Sequence, residues 1–443
     1  MRGRGRIITG KNQCLDLHSA GPDKNYHRQT VHTYESVRSG RGVDWNLQPK
    51  VFKRYPSEFA EISLTGLPSL RAFLHHCCGL TKKKTYPGGS YFLRANPSAG
   101  ALYPCEVYLQ ARGISGIVDA IYQYEPFSEK LRLLHPLGPR EGLEGYWHRD
   151  GKVEGLVLLV TAIYYRSSWK YGHRALRYCL LDSGHLLGGI EAAACCREQN
   201  YSFVTRFNRN RMQKDFGFKG RELPMAMGVC GKEKRGQVVC PDIDLPFING
   251  SGSFCRDPVI EEGFAQAAVP ANCRKGVGES PYSVQSEILV DAILSRRSIR
   301  KFTGQLTLHR EYEAVLHTAM TSLAIDCDEP LDIFALVNRV KGMEPGLYKN
   351  NRCLRSGNFS NRGGYLCLEQ DLGADSAVTF FLVGDSKNYL PLMLKAGLVG
   401  QRIYLSSELQ RLGCSGIGAF YDREVADFLE TDGLVLYALA IGR

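Results

Sequence analysis

The sequence predicts two copies of one mixed helix-and-strand unit, packed in a single chain as a pseudo-symmetric pair. Two observations predict it: an order of apolar segments that occurs twice, and glycines at helical spacing in the long helix of each copy. In the first half, GLVLLVTAI (155–163) reads as a buried strand, being short, apolar and rich in β-branched residues. A helical stretch follows from about Arg174 to Gln199, then a polar segment ending near Asp215 and Phe216, then a strand, PMAMGVCG (224–231). In the second half the same order runs AVTFFLVGD (377–385), a helix over 392–412, GCSGIGAFYDREVADFL (413–429) and LVLYALAIG (434–442). Gly184, Gly188 and Gly189 lie on or near one face of the first long helix, and Gly397 and Gly400 do so in the second. Small residues at that spacing let two helices approach closely, although each glycine alone is equally well a tolerated core residue. A duplicated unit would do within one chain what a homodimer does with two.

Around the two units lie extensions. Residues 1–60 read as an N-terminal extension, 61–231 as the first domain, 232–282 as a Pro/Gly/Ser-rich linker or crossing arm, and 283–443 as the second domain. With 443 residues, 44% hydrophobic and 23% charged, the composition is that of a globular chain and excludes disorder, collagen and coiled coil. No stretch reaches the 18 or so uncharged apolar residues of a membrane helix. The basic lead MRGRGRIITGKNQ lacks the apolar run of a signal peptide, so a cytoplasmic location is expected. Fifteen cysteines, with no CxxC pair and with the doublets Cys77-Cys78 and Cys195-Cys196, point to reduced thiols rather than a disulfide framework. The net charge of +11 is uneven, at +14 for residues 1–231 and −3 for the remainder. Yet the longest basic run is Lys82-Lys83-Lys84, with no RNP-like aromatic pattern and no arginine-rich tract, so nucleic acid is not an expected partner.

Four segments carry candidate chemistry. In ILSRRSIRKF (293–302) the residues Arg296, Ser298 and Arg300 alternate, so an extended chain points all three to one side; two guanidiniums and a hydroxyl suit a phosphate. A solvated basic turn is the other reading. GCSGIGAF (413–420), between the long helix and the next short one, has three glycines that let backbone N–H groups approach an anion. Neither the dinucleotide fingerprint nor a Walker loop fits it. Its counterpart in the first half, QNYSFVTRF (199–207), has no glycine. RANPSAGALYPCEVY (94–108) leads into a strand, with Pro97 fixing φ, Ser98 offering a hydroxyl and Gly100 allowing close approach; a plain tight turn is the alternative. Its counterpart, TSLAIDCDEPLDIFALV (321–337), has none of these features. Such complementary loss is expected where one shared site remains of two. Finally, Lys170-Tyr171 sits in the loop before the long helix and would serve as a proton-transfer pair if burial lowered the lysine pKa. Arg174 and Arg177, one turn apart, are expected to make helix-end or interdomain contacts. The run His75-His76-Cys77-Cys78 points its side chains in different directions, and Asp182-Ser183-Gly184-His185 is no triad, since consecutive helical positions do not face one another. No metal site is expected.

These segments together resemble the nitroreductase superfamily, and within it the SagB-type dehydrogenase branch that includes azoline oxidases. RRSIR resembles the superfamily's flavin-phosphate signature. PSAGALYP, the string from Lys170 to His185, and GQRIYLSSELQRLGCSGIGAFYDREV resemble the branch's most recognisable stretches, and YHRQTVHTY (26–34) resembles its start. The resemblance implies an α+β fold of two tandem nitroreductase-like domains, mixed sheets flanked by helices, forming an intramolecular pseudo-dimer with FMN at the interface. It implies that Arg296, Ser298 and Arg300 grip the FMN phosphate and ribityl chain and that Gly416, Ile417 and Gly418 supply backbone. Pro97, Ser98, Ala99 and Gly100 would line the ring, and Lys170 and Tyr171 match the Lys-Tyr pair assigned to catalysis.

The reaction so implied is two-electron oxidation, with a substrate C–H giving hydride to flavin N5, Lys170 or Tyr171 moving a proton, and oxygen reoxidising the flavin. Peptide azolines or similar small molecules are the expected substrates, and other subunits of a peptide-modifying complex are candidate partners. Two alternatives stand beside it: an NAD(P)H-dependent nitro- or quinone reductase, and a non-catalytic flavin- or peptide-binding subunit.

Overall fold

A computed structural model of the chain describes residues 22–39, 42–86, 89–147, 149–267, 276, 278–384 and 388–443. The arginine-rich lead and much of the PANCRKGVGESP stretch lie outside them. Two sheets organise the described chain. The first is built from β1 (Glu61–Ser63), β4 (Cys105–Arg112), β5 (Ala120–Glu125), β6 (Lys130–Pro136), β7 (Lys152–Ile163), β8 (Tyr201–Val204) and β9 (Glu222–Lys234), in the order β1-β6-β5-β4-β7-β9-β8. Beside it stands a hairpin of β2 (Leu80–Tyr86) and β3 (Gly89–Arg94). The second sheet comprises β11 (Asp332–Val337), β13 (Gly346–Lys349), β14 (Arg352–Ser356), β15 (Val378–Gly384), β16 (Gly413–Ile417) and β17 (Leu434–Gly442), in the order β14-β13-β11-β15-β17-β16. The short strands β10 (Thr307–Leu308) and β12 (Val340–Lys341) form a separate parallel pair.

Every ladder within the two large sheets is antiparallel. Parallel pairing enters only at their edges, through single bridges from Ser298 to Cys414 and from Phe203 to Ile325. The central strands β7 and β15 read as continuous apolar runs because both their faces are covered. One cluster of buried residues lies between the sheets and spans both halves; two further clusters cover the outer faces.

Between the sheets run two long helices, Ala175–Cys195 and Tyr389–Leu409, nearly every residue of which is buried. They touch where the glycines allow it. A Cβ on Gly184 would fall 2.7 Å from the Gly397 Cα, and one on Gly397 would fall 2.9 Å from the Gly184 Cα. Gly188 faces Gln401 of the other helix, whereas Gly189 packs on the Cys77 carbonyl and Gly400 on Tyr437 and His185. Since His185 lies on the first long helix, the predicted helix–helix approach belongs to four of the five glycines, all but Gly189. Farther along, Arg402 forms a bidentate pair with Glu191, at 2.7 and 2.8 Å, with both side chains fully buried. A pair so deep is costly to break from either side.

Two expectations change. GCSGI, read as the connector between the long helix and the next short one, is a strand, β16, paired with β17; its glycines conceal strand character in the sequence while the edge of the sheet supplies the hydrogen bonds. Lys170 and Tyr171 end a short helix, Tyr165–Tyr171, rather than lying in a loop. His75–Cys78 forms the last turn of the helix Pro68–Cys78, with both cysteines in the core. No described helix is long and apolar enough to cross a membrane, and the thirteen described cysteines are free thiols.

Candidate active site

The turn before β4 is held in an unusual conformation. Gly100, Ala101 and Tyr103 all have positive φ, at 61°, 54° and 44°. Two non-glycine residues in this region store backbone strain, which persists only where surrounding bonds over-determine it. Those bonds are present. Asp182, from the first long helix, accepts the Ser98 hydroxyl at 2.5 Å and the Ala99 N–H at 3.1 Å. Ser98 Oγ accepts the Tyr103 N–H at 2.9 Å, and the Tyr103 carbonyl accepts Arg166 Nη1 at 3.1 Å. Against the Cα of Gly100 lie Lys170 and Tyr171: a Cβ there would fall 2.5 Å from the Tyr171 hydroxyl and 3.2 Å from Lys170 Nζ.

From the second half, the chain after helix Ser286–Ser295 passes beside β16. Ser298 bridges Cys414, and its hydroxyl lies 2.8 Å from that of Tyr404, which in turn accepts the Gly416 N–H at 2.6 Å. Arg296 is buried, with Nε donating to the Ala95 carbonyl and Nη2 to that of Arg94, in the strand that leads into the strained turn. Its Nη1 has no hydrogen-bond partner among the described residues. Arg300 is exposed.

These pieces meet around a cavity of about 70 Å³ between the halves, lined by Pro97, Ser98, Ala99 and Gly100 on one side and Ser298, Arg300, Gly416 and Gly418 on the other. Eight of the twelve candidate residues therefore line one cavity. The others stand near it. Lys170 and Tyr171 lie behind Gly100, but the burial expected of the lysine is absent, since Lys170 is exposed and Tyr171 half-buried at the end of their short helix. Arg296 is tied to the chain preceding Pro97, and the Ile417 side chain points into the outer core of the second sheet.

Several lining residues escaped the sequence reading: Tyr178, Asp182, His185, Tyr404 and Tyr437. Tyr178, Asp182 and His185 are spaced i, i+4, i+7, one face of a helix, and that periodicity was the available signal. Burial pushes the Asp182 carboxyl up to about 7, against the opposing pull of its bonds from Ser98 and Ala99. Burial also lowers His185 to about 3, so it is neutral. Its Nδ1 faces Gln401 Oε1 at 3.2 Å and its Nε2 faces the Tyr437 hydroxyl at 2.9 Å. Because the amide oxygen only accepts, Nδ1 carries the proton and Nε2 accepts from Tyr437. The Tyr171 phenol is raised, first by burial and then by Tyr178 and Asp182.

At the mouth of the first long helix, Arg174 and Arg177 both bond Asp422, at 2.8 and 2.5 Å, and donate to Thr30 as well. They join the first half, the second half and the segment YHRQT, as interdomain contacts were expected to do. Burial would raise the Asp422 carboxyl, but Arg177 and Arg174 outweigh it and hold it well below the usual range.

The two segments that lack the site features also meet, elsewhere in the fold. Phe203 of β8 donates to the Ala324 carbonyl and accepts from the Asp326 N–H. The Asp326 carboxylate takes the N–H groups of Thr205 and Arg206, at 2.8 and 3.1 Å, and the Thr205 hydroxyl. Residues 324–326 thus cover the edge of β8 much as Ser298 covers that of β16.

The chemistry of the donor set fits a flavin phosphate. Ser298, the exposed Arg300 and the unpartnered Nη1 of Arg296 are the groups such an anion needs, and Gly100 gives close backbone approach. The Tyr178 and Tyr437 rings stand against Gly418 and Gly416 and narrow the cavity there.

Residues 293–443 match the model of the Nitroreductase family. A curated Methanocaldococcus jannaschii protein named "putative nitroreductase" is 26% identical over 183 residues, 41% of this chain and 87% of that one. Over nearly the whole length, the chain is similar to a crystal structure of a "putative nitroreductase" from Anabaena variabilis, with a TM-score of 0.80, 26% identity, and 96% of this chain and 99% of that one covered. The second half of this protein therefore carries a Nitroreductase family domain, in an α+β chain that has a nitroreductase fold throughout.

Proposed function

We propose that the protein is an FMN-dependent oxidoreductase with one flavin site per chain, built jointly by two domains, 61–231 and 283–443, that descend from one duplicated unit. The observation that carries this reading is the convergence on one cavity of the Pro97–Gly100 turn from the first half with Ser298, Arg300, Gly416 and Gly418 from the second. The covered edge at β8, where Asp326 occupies backbone N–H groups that an anion would need, supports one site rather than two.

FMN, when bound, supplies a two-electron acceptor for a substrate hydride. Arg296, Ser298 and Arg300 hold the phosphate and ribityl end, and the turn at Pro97–Gly100 together with the backbone of 416–418 lines the ring. Asp182 fixes that turn. Lys170 and Tyr171 stand beside Gly100 as the groups that move the substrate's proton, in line with the SagB-type reading in which a peptide azoline or similar substrate is oxidised. The names of the relatives, each a putative nitroreductase, favour a second reading, a reductase of nitro compounds; drawing electrons from NAD(P)H, with a quinone as the other acceptor, completes that alternative.

An absorbance spectrum of the purified protein, with mass analysis of whatever heat releases, tests both. About one FMN per chain is expected. Two per chain overturns the single site, and none after reconstitution overturns the oxidoreductase. With flavin bound, rapid bleaching by NADH alone favours the reductase. Loss of azoline oxidation in Lys170→Ala and Tyr171→Ala, with FMN retained, favours the oxidase.

A further inference from the structure

On the other side of the strained turn lies a larger opening. A groove of about 410 Å³ is lined by the extended chain Gln48–Phe52, by Ser90, Tyr91 and Phe92 of β3, and by Ala101–Tyr103. Its size is that of a small-ligand pocket, and it shares the turn with the cavity. From these observations we infer that the groove receives the apolar, ring-bearing arm of the substrate and that Lys50 selects substrates carrying a carboxylate on that arm. The inference rests on the oxidoreductase reading for what happens at the far end of the substrate.

Three observations carry it. First, the walls are aromatic. Phe52, Tyr91 and Phe92 line the groove, Tyr91 being 38% exposed, and behind them Phe127 packs against Phe52 and Phe92, the three phenyl rings having centres 5.2–6.0 Å apart. Trp45, 66% exposed, continues the exposed aromatic surface along the same segment and meets Trp169, next to Lys170. Isolated exposed apolar residues are ordinary, but aromatics gathered on the segments around one opening mark a binding surface.

Second, the charge has one sign. Among the described residues, Lys50 is the one charged residue lining the groove, Lys83 stands over the Phe92 ring at 5.9 Å, and Lys170 lies behind Gly100. The nearby carboxylates are committed elsewhere: Glu106 pairs with Arg166, and Glu125 with Arg132. Third, the groove adjoins the proton-transfer pair through the strained turn: Ala101–Tyr103 line the groove, and the neighbouring Gly100 abuts the Tyr171 hydroxyl and Lys170 Nζ. The floor is rigid as well. The Lys50 carbonyl accepts Arg166 Nε, its N–H donates to the Ser251 carbonyl, and the Val51 carbonyl accepts Arg94 Nη2, so the backbone there is fixed, while the stem of the exposed lysine lies along Gly252.

The test is titration calorimetry of the full-length protein with 4-nitrobenzoate and with 4-nitrobenzamide, which have the same ring but differ in charge. The benzoate is expected to bind about fivefold more tightly, as one partly exposed ion pair allows. Lys50→Glu is expected to abolish or invert that ratio, and Lys50→Gln to level it, whereas Tyr91→Ala weakens both ligands alike. Equal binding of the two by the unaltered protein, no binding of either, or a ratio untouched by Lys50→Glu overturns the inference. Because binding is read without turnover, a charge preference in a protein that takes up no FMN sinks the oxidoreductase reading and leaves the groove standing.

Discussion

The Asp182 carboxyl and the Ser98 hydroxyl lie 2.5 Å apart, so the long helix of the first half directly holds the turn that lines the cavity. No cation lies among the groups that set the Asp182 titration, which leaves the carboxyl at about 7 through burial. The unfolded chain loses this proton near pH 4 and the folded chain near 7, so the group lowers stability as pH rises through that window and levels off above it. Asp182→Asn retains an acceptor and removes the titration. Its melting temperature relative to the unaltered protein is expected to rise from pH 4 to pH 7, and a difference that stays flat with pH would refute the assignment.

Arg300 is exposed at the cavity and ties no other part of the fold, so Arg300→Gln leaves folding intact. Losing one charge-assisted bond to a phosphate is expected to weaken FMN binding by about ten- to a hundredfold. Quenching of FMN fluorescence on titration measures it, and unchanged affinity places the phosphate elsewhere.

Gly100 combines a φ of 61° with contact to Tyr171. In Gly100→Ala the backbone conformation costs about 1–2 kcal/mol and the methyl group displaces the Tyr171 hydroxyl. Turnover is expected to fall at least about tenfold if about 1.4 kcal/mol of positioning is lost. Flavin content and turnover measured on one preparation distinguish this from loss of cofactor.

Asp422 is the shared anion of two buried arginines. Asp422→Asn leaves both guanidiniums short of a counter-charge and is expected to cost about 3–5 kcal/mol in a denaturant titration. Because the folded carboxyl titrates well below its unfolded range, its contribution is complete above about pH 4 and fades as pH falls through the folded pKa. A loss under about 1 kcal/mol would show that the cluster is solvated.

What the sequence determined by itself is the repeated order of elements and the identity of the anchoring segments. Apolar periodicity does not depend on partners, so β7, β15, β17 and both long helices were legible to within a few residues. Gly184 and Gly397 were legible for the same reason, since helical spacing shows which residues share a face. The edge strand β16 was not, because glycine carries no strand preference and the bonds that make it a strand come from β17. Only the tertiary structure decided that Ser98 meets Asp182, that Tyr404 joins Ser298 to Gly416, and that Arg296 reaches back to Ala95 two hundred residues away. Likewise, only folding shows that residues 324–326 close the edge of β8. Those pairings depend on where two sheets and two crossing helices bring distant backbone together, and local residue preferences do not encode that distance.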